Sequence, residues 1–406
     1  MISETVRLRG HIIDSLLLPK VLDEIIARGG RFEIVKLNVG RKREDVSEAV
    51  VRVEAADETC LTEILRAIHP HGAESLETAE VRLAPAPADG IFPEDFYVSS
   101  NLPTQAHWQG RWLDVRPARM DCGIVVDPVA KTAAPQKFWQ VRRGDLVVVG
   151  HDGVRVTPLQ RPVEEGGEAF EFMASNVSTE KPKRAVIRAI ADVMRAVKRD
   201  GQKILVVAGP AVVHTGAGSH LIRLVELGYV NLLFAGNALA LHDIEQSLYG
   251  TALGVYLEHG TRAAHGHENH IRAVNRIRAI GGIREAIENG TLNSGIMHAC
   301  VKHNVEFVLA GSIRDDGPLP EVITDAIQAQ KAMAERLNGV GLALMIATML
   351  HSIAVGNLLP ATCKTVCVDI NSDVVTKLSD RGSFQTIGLV TDVEPFLVEL
   401  LENLKM

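Results

Sequence analysis

The chain is 406 residues long, with 46% hydrophobic and 23% charged residues and a net charge of −7. That is enough for about two or three well-packed soluble domains. An acidic balance without a basic stripe argues against nucleic acid as a partner; no apolar run of roughly 18 residues offers a membrane span, and MISETVRLRGHIID is no signal peptide.

In chain order, residues 5–83 read as a βαββαβ unit, a ferredoxin-like α+β arrangement. TVRLRGHI is strand-like, and residues 16–28 form an amphipathic helix ended by Gly29-Gly30. RFEIVKLNVG and EAVVRVEA are two further strands, Asp57 caps a helix running to Ile68, and AEVRLAP alternates like a closing strand. Modules of this kind bind small regulatory ligands, make dimer contacts or serve as plain structure, and the residues do not choose among these. Arg41-Lys42-Arg43 reads as a solvated hairpin loop, and APAPADGIFPED as a proline-rich linker that closes a first domain at 1–90.

Residues 91–182 read as a small β-rich domain with strands in RWLDV, CGIVVD, GDLVVVG, GVRVTPL and EAFEFMAS. It holds polar clusters that a core does not require. Asn101, Thr104, Gln105, His107 and Trp108 lie in one stretch, Arg119, Asp121 and Cys122 precede a strand, and Asn176, Ser178, Glu180 and Lys181 follow another. Arg119 suits a substrate carboxylate held bidentately, and equally suits a pair with Asp121 that braces a turn. Cys122 has no identifiable His partner, which weakens it as a nucleophile.

Residues 183–406 read as an α/β domain. A helix over 186–197 leads into KILVVA, a buried strand that stops at Gly209-Pro210. Gly216, Gly218 and Ser219 open the next helix, Gly228 closes it, and a strand over 230–235 ends at Gly236-Asn237. Strand, glycine turn and helix N-terminus together make an anion site, although the turn is not GxGxxG and an ordinary α/β turn reads the same. Strands over 305–310, 342–347, 365–370 and 386–390 alternate with helices such as 321–337 and 393–403, which predicts a doubly wound, Rossmann-like parallel sheet.

Almost every strand of that sheet ends in small or polar residues, as a nucleotide site requires. Asp369 is the sharpest. It stands at the tip of a buried strand, where it can accept both ribose hydroxyls of an adenosine and would repel a 2′-phosphate, favouring NAD over NADP. Capping the following helix is its other reading. His259, His265, His267 and His270 are dense, but Gly266 separates two of them without HExxH spacing, so a polar helix entrance is expected rather than zinc. Cys363 and Cys367 flank a buried strand with no second pair nearby, and five scattered cysteines read as reduced thiols in the cytoplasm; no metal is expected.

With these pieces in view the chain resembles, along essentially its whole length, the family carrying the LOR/SDH conserved region. That family includes archaeal-type ornithine cyclodeaminases and the C-terminal part of cyanobacterial arginine dihydrolase/ornithine cyclodeaminase fusions. The matching stretches are RMDCGIVVD, FEFMASNVSTEKP, AGPAVVHTGAG, the segment around LFAGNALA with Leu241, GSIRDDGPLPEV and ATMLHSIAVGN. The guanidine-hydrolysing N-terminal domain of the fusions is missing, so arginine is not an expected substrate.

The resemblance implies a deoxyhypusine-synthase-like NAD-binding fold, with cofactor contacts at Asn237, Ala238, Asp316, Thr348, Met349, Leu350, His351, Asp369, Asp392 and Val393. It implies conversion of L-ornithine to L-proline and ammonia with internal recycling of the hydride. In that chemistry Arg119 or Lys181 binds the carboxylate, Asp121, Asp315 or Glu258 binds the δ-ammonium, and His298, His267 or Lys302 acts as base. A dimer or tetramer is the expected assembly. A saccharopine-type amino-acid dehydrogenase and a non-catalytic NAD- or amino-acid-sensing module are the rival readings.

Overall fold

The computed structural model describes residues 2–13, 15–42, 45–76, 79–157, 183–256, 261, 269–315, 317–379 and 386–405. The chain divides into two compact units, 1–167 with 359–362, and 168–358 with 363–406. Among the described residues no helix is long and apolar enough to cross a membrane.

The first unit opens with β1 (Ile2–Gly10), the helix Leu17–Ala27, β2 (Arg31–Asn38), β3 (Ser47–Ala55), the helix Glu58–Ile68 and the short β4 (Glu74–Ser75). They form an antiparallel sheet in the order β2-β3-β1-β4, the ferredoxin-like order. The period-two pattern of β3 sends Ala49, Val51 and Val53 inward, all fully buried, against Val21, Ile25 and Ile64 of the helices. Asp57 caps the second helix as expected, accepting the Cys60 N–H at 2.9 Å.

AEVRLAP does not close this sheet. Its core, β5 (Arg82–Pro85), pairs antiparallel with a strand some sixty residues later, and Val81 is buried in a second core. That second sheet contains β6 (Thr104–Trp108), β7 (Arg111–Val115), β8 (Gly123–Asp127), β9 (Thr132–Gln136), β10 (Leu146–Val149) and β11 (Val154–Val156), in the order β11-β6-β7-β9-β8-β10-β5. The proline-rich stretch is packed rather than a free linker, because Phe92 stacks on Phe96 at 4.4 Å and Ala86 is buried. Ala361 is also buried in this core, and its N–H donates to the Asn101 carbonyl at 2.9 Å. EAFEFMAS and Asn176, Ser178, Glu180 and Lys181 lie outside the described residues.

The second unit is built on β12 (Lys203–Ala208), β13 (Leu232–Gly236), β16 (Glu306–Ala310), β17 (Val322–Ile323), β18 (Val340–Ile346), β19 (Lys364–Asp369) and β20 (Thr386–Val390), with β14 (Thr251–Ala252) and β15 (Val255–Tyr256) forming a separate hairpin. All neighbours in the main sheet are parallel, in the order β17-β16-β13-β12-β18-β19-β20. Residues 204–208 and 342–346 are wholly buried. Burial of each Val, Leu or Ile side chain there contributes roughly 1.5–3 kcal/mol. The helix expected over 321–337 begins later, at Ala326–Arg336, because Val322 first pairs with Leu309 and Asp325 then caps the helix.

Candidate functional site

The chain enters the main sheet at β12, adds three strands on one side, then returns to add three on the other. The order therefore reverses between β12 and β18, and a crevice opens beyond their carboxyl ends, where ligands bind in such sheets. Backbones meet closely there: an ideal Cβ on Gly209 would lie 1.9 Å from the Ala347 carbonyl oxygen, and the Gly209 N–H donates to Ile346 at 2.9 Å. Only glycine fits that position.

Around the crevice, the helices Asn237–Tyr249, Met349–Gly356 and Val393–Leu404 begin directly after β13, β18 and β20, presenting the positive ends of their dipoles. Thr348 precedes the second of these helices, with its hydroxyl 3.3 Å from Nδ1 of His351. The His351 ring crosses to β13, where a Cβ on Gly236 would come within 2.9 Å of its Cε1. Burial pushes this imidazole below its ordinary range, so the ring is neutral near pH 7.

Asp369 is buried at the tip of β19, 8% exposed. Its Oδ1 accepts the Asn371 N–H at 2.8 Å, so the turn into the next helix engages one carboxylate oxygen. Large apolar side chains also stand exposed at the tips: Met349 at 45%, Leu350 at 73% and Ile370 at 76%, with Ile313 fully exposed after β16. Glycine-only approaches, helix N-termini, a carboxylate and uncovered apolar side chains on one sheet edge fit a dinucleotide with flat aromatic rings, a pyrophosphate and ribose hydroxyls.

The structure distinguishes among the cofactor residues expected from sequence. Asn237 is buried, and its Oδ1 accepts the Leu319 N–H at 3.1 Å, so its side chain pins the loop after β16. Val393 buries its side chain in the core, leaving only its backbone at the edge. Ala238 is half-buried in the first turn of its helix, and Asp392 is exposed just before its own. Asp316 lies outside the described residues. The glycine turn, read from sequence as an anion site or an ordinary α/β turn, is not a direct passage from strand to helix. Between β12 and the helix Gly218–Glu226 stands a short helix, Ala211–His214, and Gly218 is buried with Ile296 packed beside it.

Of the expected catalytic residues, Arg119 and Asp121 belong to the first unit and Asp315 and His298 to the second. Arg119, Asp121 and Cys122 share one turn, tied down by Ser99, whose hydroxyl donates to the Arg119 carbonyl at 2.7 Å, and by Lys137, whose ammonium donates to the Met120 and Asp121 carbonyls at 2.9 and 3.3 Å. Burial pushes the Cys122 thiol up, which disfavours the thiolate that a nucleophile requires. The Asp315 carboxylate accepts the Ser312 N–H at 2.8 Å and shapes the turn after β16. His298 is half-buried on the helix Ile296–Lys302, its pKa lowered by burial, then by Lys302 and His303. Glu258, His259, His265, His267 and Lys181 lie outside the described residues. Among the described residues no His, Cys, Asp or Glu group has the geometry of a metal site.

One polar cluster escaped the sequence. His214 follows β12 and His242 sits in the helix after β13, with ring centroids 4.7 Å apart. Nδ1 of His242 is 3.6 Å from Oε2 of Glu245, which is fully buried. Glu245 accepts from the Thr251 hydroxyl at 2.8 Å and from the Gly254 and Leu253 N–H groups at 3.0 and 3.1 Å, while Asn269 donates to Thr251 at 2.9 Å. Burial pushes the Glu245 carboxyl up, but the nearby His242 imidazole and the three hydrogen-bond donors together outweigh it and hold the group below its ordinary value. His214 is lowered by burial and then by His242. The only sequence signal was a pair of isolated histidines 28 residues apart.

Comparison with known proteins places residues 188–400 in the family described as arginine dihydrolase ArgZ-like, C-terminal, Rossmann fold. Residues 103–187 match the first region of the same C-terminal part, and residues 3–102 match the LOR/SDH bifunctional enzyme conserved region. The chain is 50% identical to ornithine cyclodeaminase of Methanocaldococcus jannaschii, over 100% of this chain and 97% of that protein. The apo crystal structure of ArgZ, an arginine dihydrolase from the ornithine–ammonia cycle in cyanobacteria, superposes with a TM-score of 0.85 at 37% identity; all of this chain is covered, but it spans only 58% of ArgZ. The ternary complex of AgrE with ornithine and NAD+ matches at 40% identity and a TM-score of 0.53, covering 100% of this chain and 57% of AgrE.

Proposed function

This chain belongs to the ArgZ-like family that carries the LOR/SDH conserved region, and from that premise we propose its function: it is an NAD-dependent ornithine cyclodeaminase, releasing ammonia from L-ornithine to give L-proline. The observation that carries the NAD assignment is the crevice between β12 and β18 with Asp369 at its rim. When bound, NAD accepts the hydride from the substrate α-carbon and returns it after ring closure, so none is consumed.

The residues of the chain bind, orient and exclude water. Asp369 takes the adenosine ribose hydroxyls through Oδ2, the exposed apolar side chains at the strand tips cover the rings, and Gly209 lets the backbone approach the pyrophosphate. Neutral His351, positioned by Thr348, is a hydrogen-bond partner for the nucleotide that adds no charge. Asp315, Asp121 and Glu258 are the alternative acceptors for the δ-ammonium of the substrate. His298 was the base expected from sequence; the His214–His242 pair backed by Glu245 is a second proton-handling group, favoured by its buried carboxylate. In the first unit, Arg119 is assigned to a carboxylate.

Five free cysteines support a reducing, cytoplasmic setting, and we expect a homo-oligomer. The deciding experiment incubates purified protein with L-ornithine and a trace of NAD, following proline and ammonia by mass spectrometry. Equal amounts of both, far beyond the NAD supplied, are expected. Accumulation of NADH would indicate a net dehydrogenase instead, and NAD binding without any product would indicate a sensing module.

A further inference from the structure

The first unit contains a cavity of about 410 Å³ between β4, the outer strand of its first sheet, and β11, the outer strand of its second. Its wall is charged and partly unsatisfied. Glu74 sits between two guanidiniums, with Arg155 Nε at 2.9 Å and Arg7 Nη2 at 3.4 Å, and the Arg155 guanidinium lies 3.9 Å above the Trp112 ring. On the same wall His69 is 7% exposed, and its Nε2 is buried without a hydrogen-bond partner; Nδ1 of the neighbouring His151 is in the same state. Buried polar atoms are almost always paired, so two orphaned imidazole nitrogens on one cavity call for a ligand.

The chemistry of the wall narrows that ligand. Burial holds both imidazoles below their ordinary range, so both rings are neutral. The Ala73 backbone hydrogen-bonds the His69 ring, and its orphaned Nε2 is open to an N–H donor of a ligand. Two guanidiniums sharing one carboxylate have donors to spare for a second carboxylate. Glu4 and Asp152 also line the space, so the carboxylates outnumber the guanidiniums by one, and a ligand of net charge +1 balances them.

We propose that this cavity is a binding site for a free dibasic α-amino acid, its carboxylate on Arg7 and Arg155 and its ammonium groups on His69 and the surrounding acids. Nothing in the assigned activity requires it, because none of the residues assigned above to the nucleotide or to ornithine lines it.

The test titrates L-arginine, and separately L-lysine, into the full chain holding NAD, by calorimetry. Saturable binding is expected, weakened about tenfold or more in Arg155→Gln and in Glu74→Gln, with NAD affinity unchanged in both. His151→Phe, which removes the orphaned Nδ1 without altering the carboxylates or guanidiniums of the wall, is expected to weaken binding about tenfold. The proposal fails if neither amino acid binds at about 10 mM, or if the three variants bind as the parent does. The latter result would place the amino acid in the ornithine site.

Discussion

Gly209 and Ala347 meet backbone to backbone at the point where the strand order reverses, with 1.9 Å between the Ala347 oxygen and the place a Cβ on Gly209 would occupy. Ala347 itself has a φ of +51°, an uncommon conformation for a residue with a side chain. Gly209→Ala must push the β18 tip away. It is expected to lower stability by about 3 kcal/mol and to abolish NAD binding. Ala347→Gly relieves the left-handed strain and should hold or raise stability by about 1 kcal/mol. Urea unfolding followed by circular dichroism, with NAD titration, checks both. A Gly209→Ala protein that unfolds and binds NAD as the parent does would show that the contact is unimportant.

Asp369→Asn isolates the ribose contact, because the amide oxygen can still accept from Asn371 and the turn survives. Loss of the charged acceptor is expected to weaken NAD about tenfold while leaving unfolding unchanged. Unaltered NAD affinity would reduce Asp369 to a capping residue.

The parallel sheet was legible because its strands are short apolar runs ending in glycine or polar residues, and KILVVA became β12 with its bounds as read. The tips were legible for the same reason, and they gathered Thr348, His351 and Asp369 on one edge. What was not legible depended on partners distant in sequence. AEVRLAP alternates equally well for either sheet, and only its pairing with Leu146–Val149 decides. Val322 and Ile323 make a strand too short to carry a pattern. Asn237 and Val393 occupy the expected positions, yet packing turns their side chains inward. The group of His214, His242 and Glu245 draws on two different strand tips, and no spacing announces such a meeting.

Glu245 holds the hairpin of β14 and β15 through three donors. Glu245→Ala strands Thr251 and two backbone N–H groups and is expected to cost about 2–4 kcal/mol. Its folded pKa is depressed, so its contribution is present above the unfolded carboxylate value and is lost as pH falls through the folded one. Glu245→Gln should therefore remove part of the acid sensitivity of the second unit, and an unchanged acid limb in thermal unfolding would refute this.

His69 sets a different pH limit, in the first unit. Burial, followed by the field of His151, lowers its pKa to about 4 against 6.5 for an ordinary imidazole. The unfolded chain thus takes up a proton first. The contribution of His69 is complete above about pH 6.5 and is lost as pH falls toward 4, amounting to roughly 3 kcal/mol at most. The three tryptophans, Trp108, Trp112 and Trp139, all lie in this unit, so their fluorescence reports its unfolding alone. Urea midpoints for the parent should fall steeply between pH 6.5 and 4.5, and those of His69→Gln should fall less. His151 and His71, which burial lowers too, contribute to the slope that remains. Equal slopes in the two proteins would mean that the buried ring is charged as readily in the folded chain as in the unfolded one, and the neutral acceptor on the cavity wall would be lost with it.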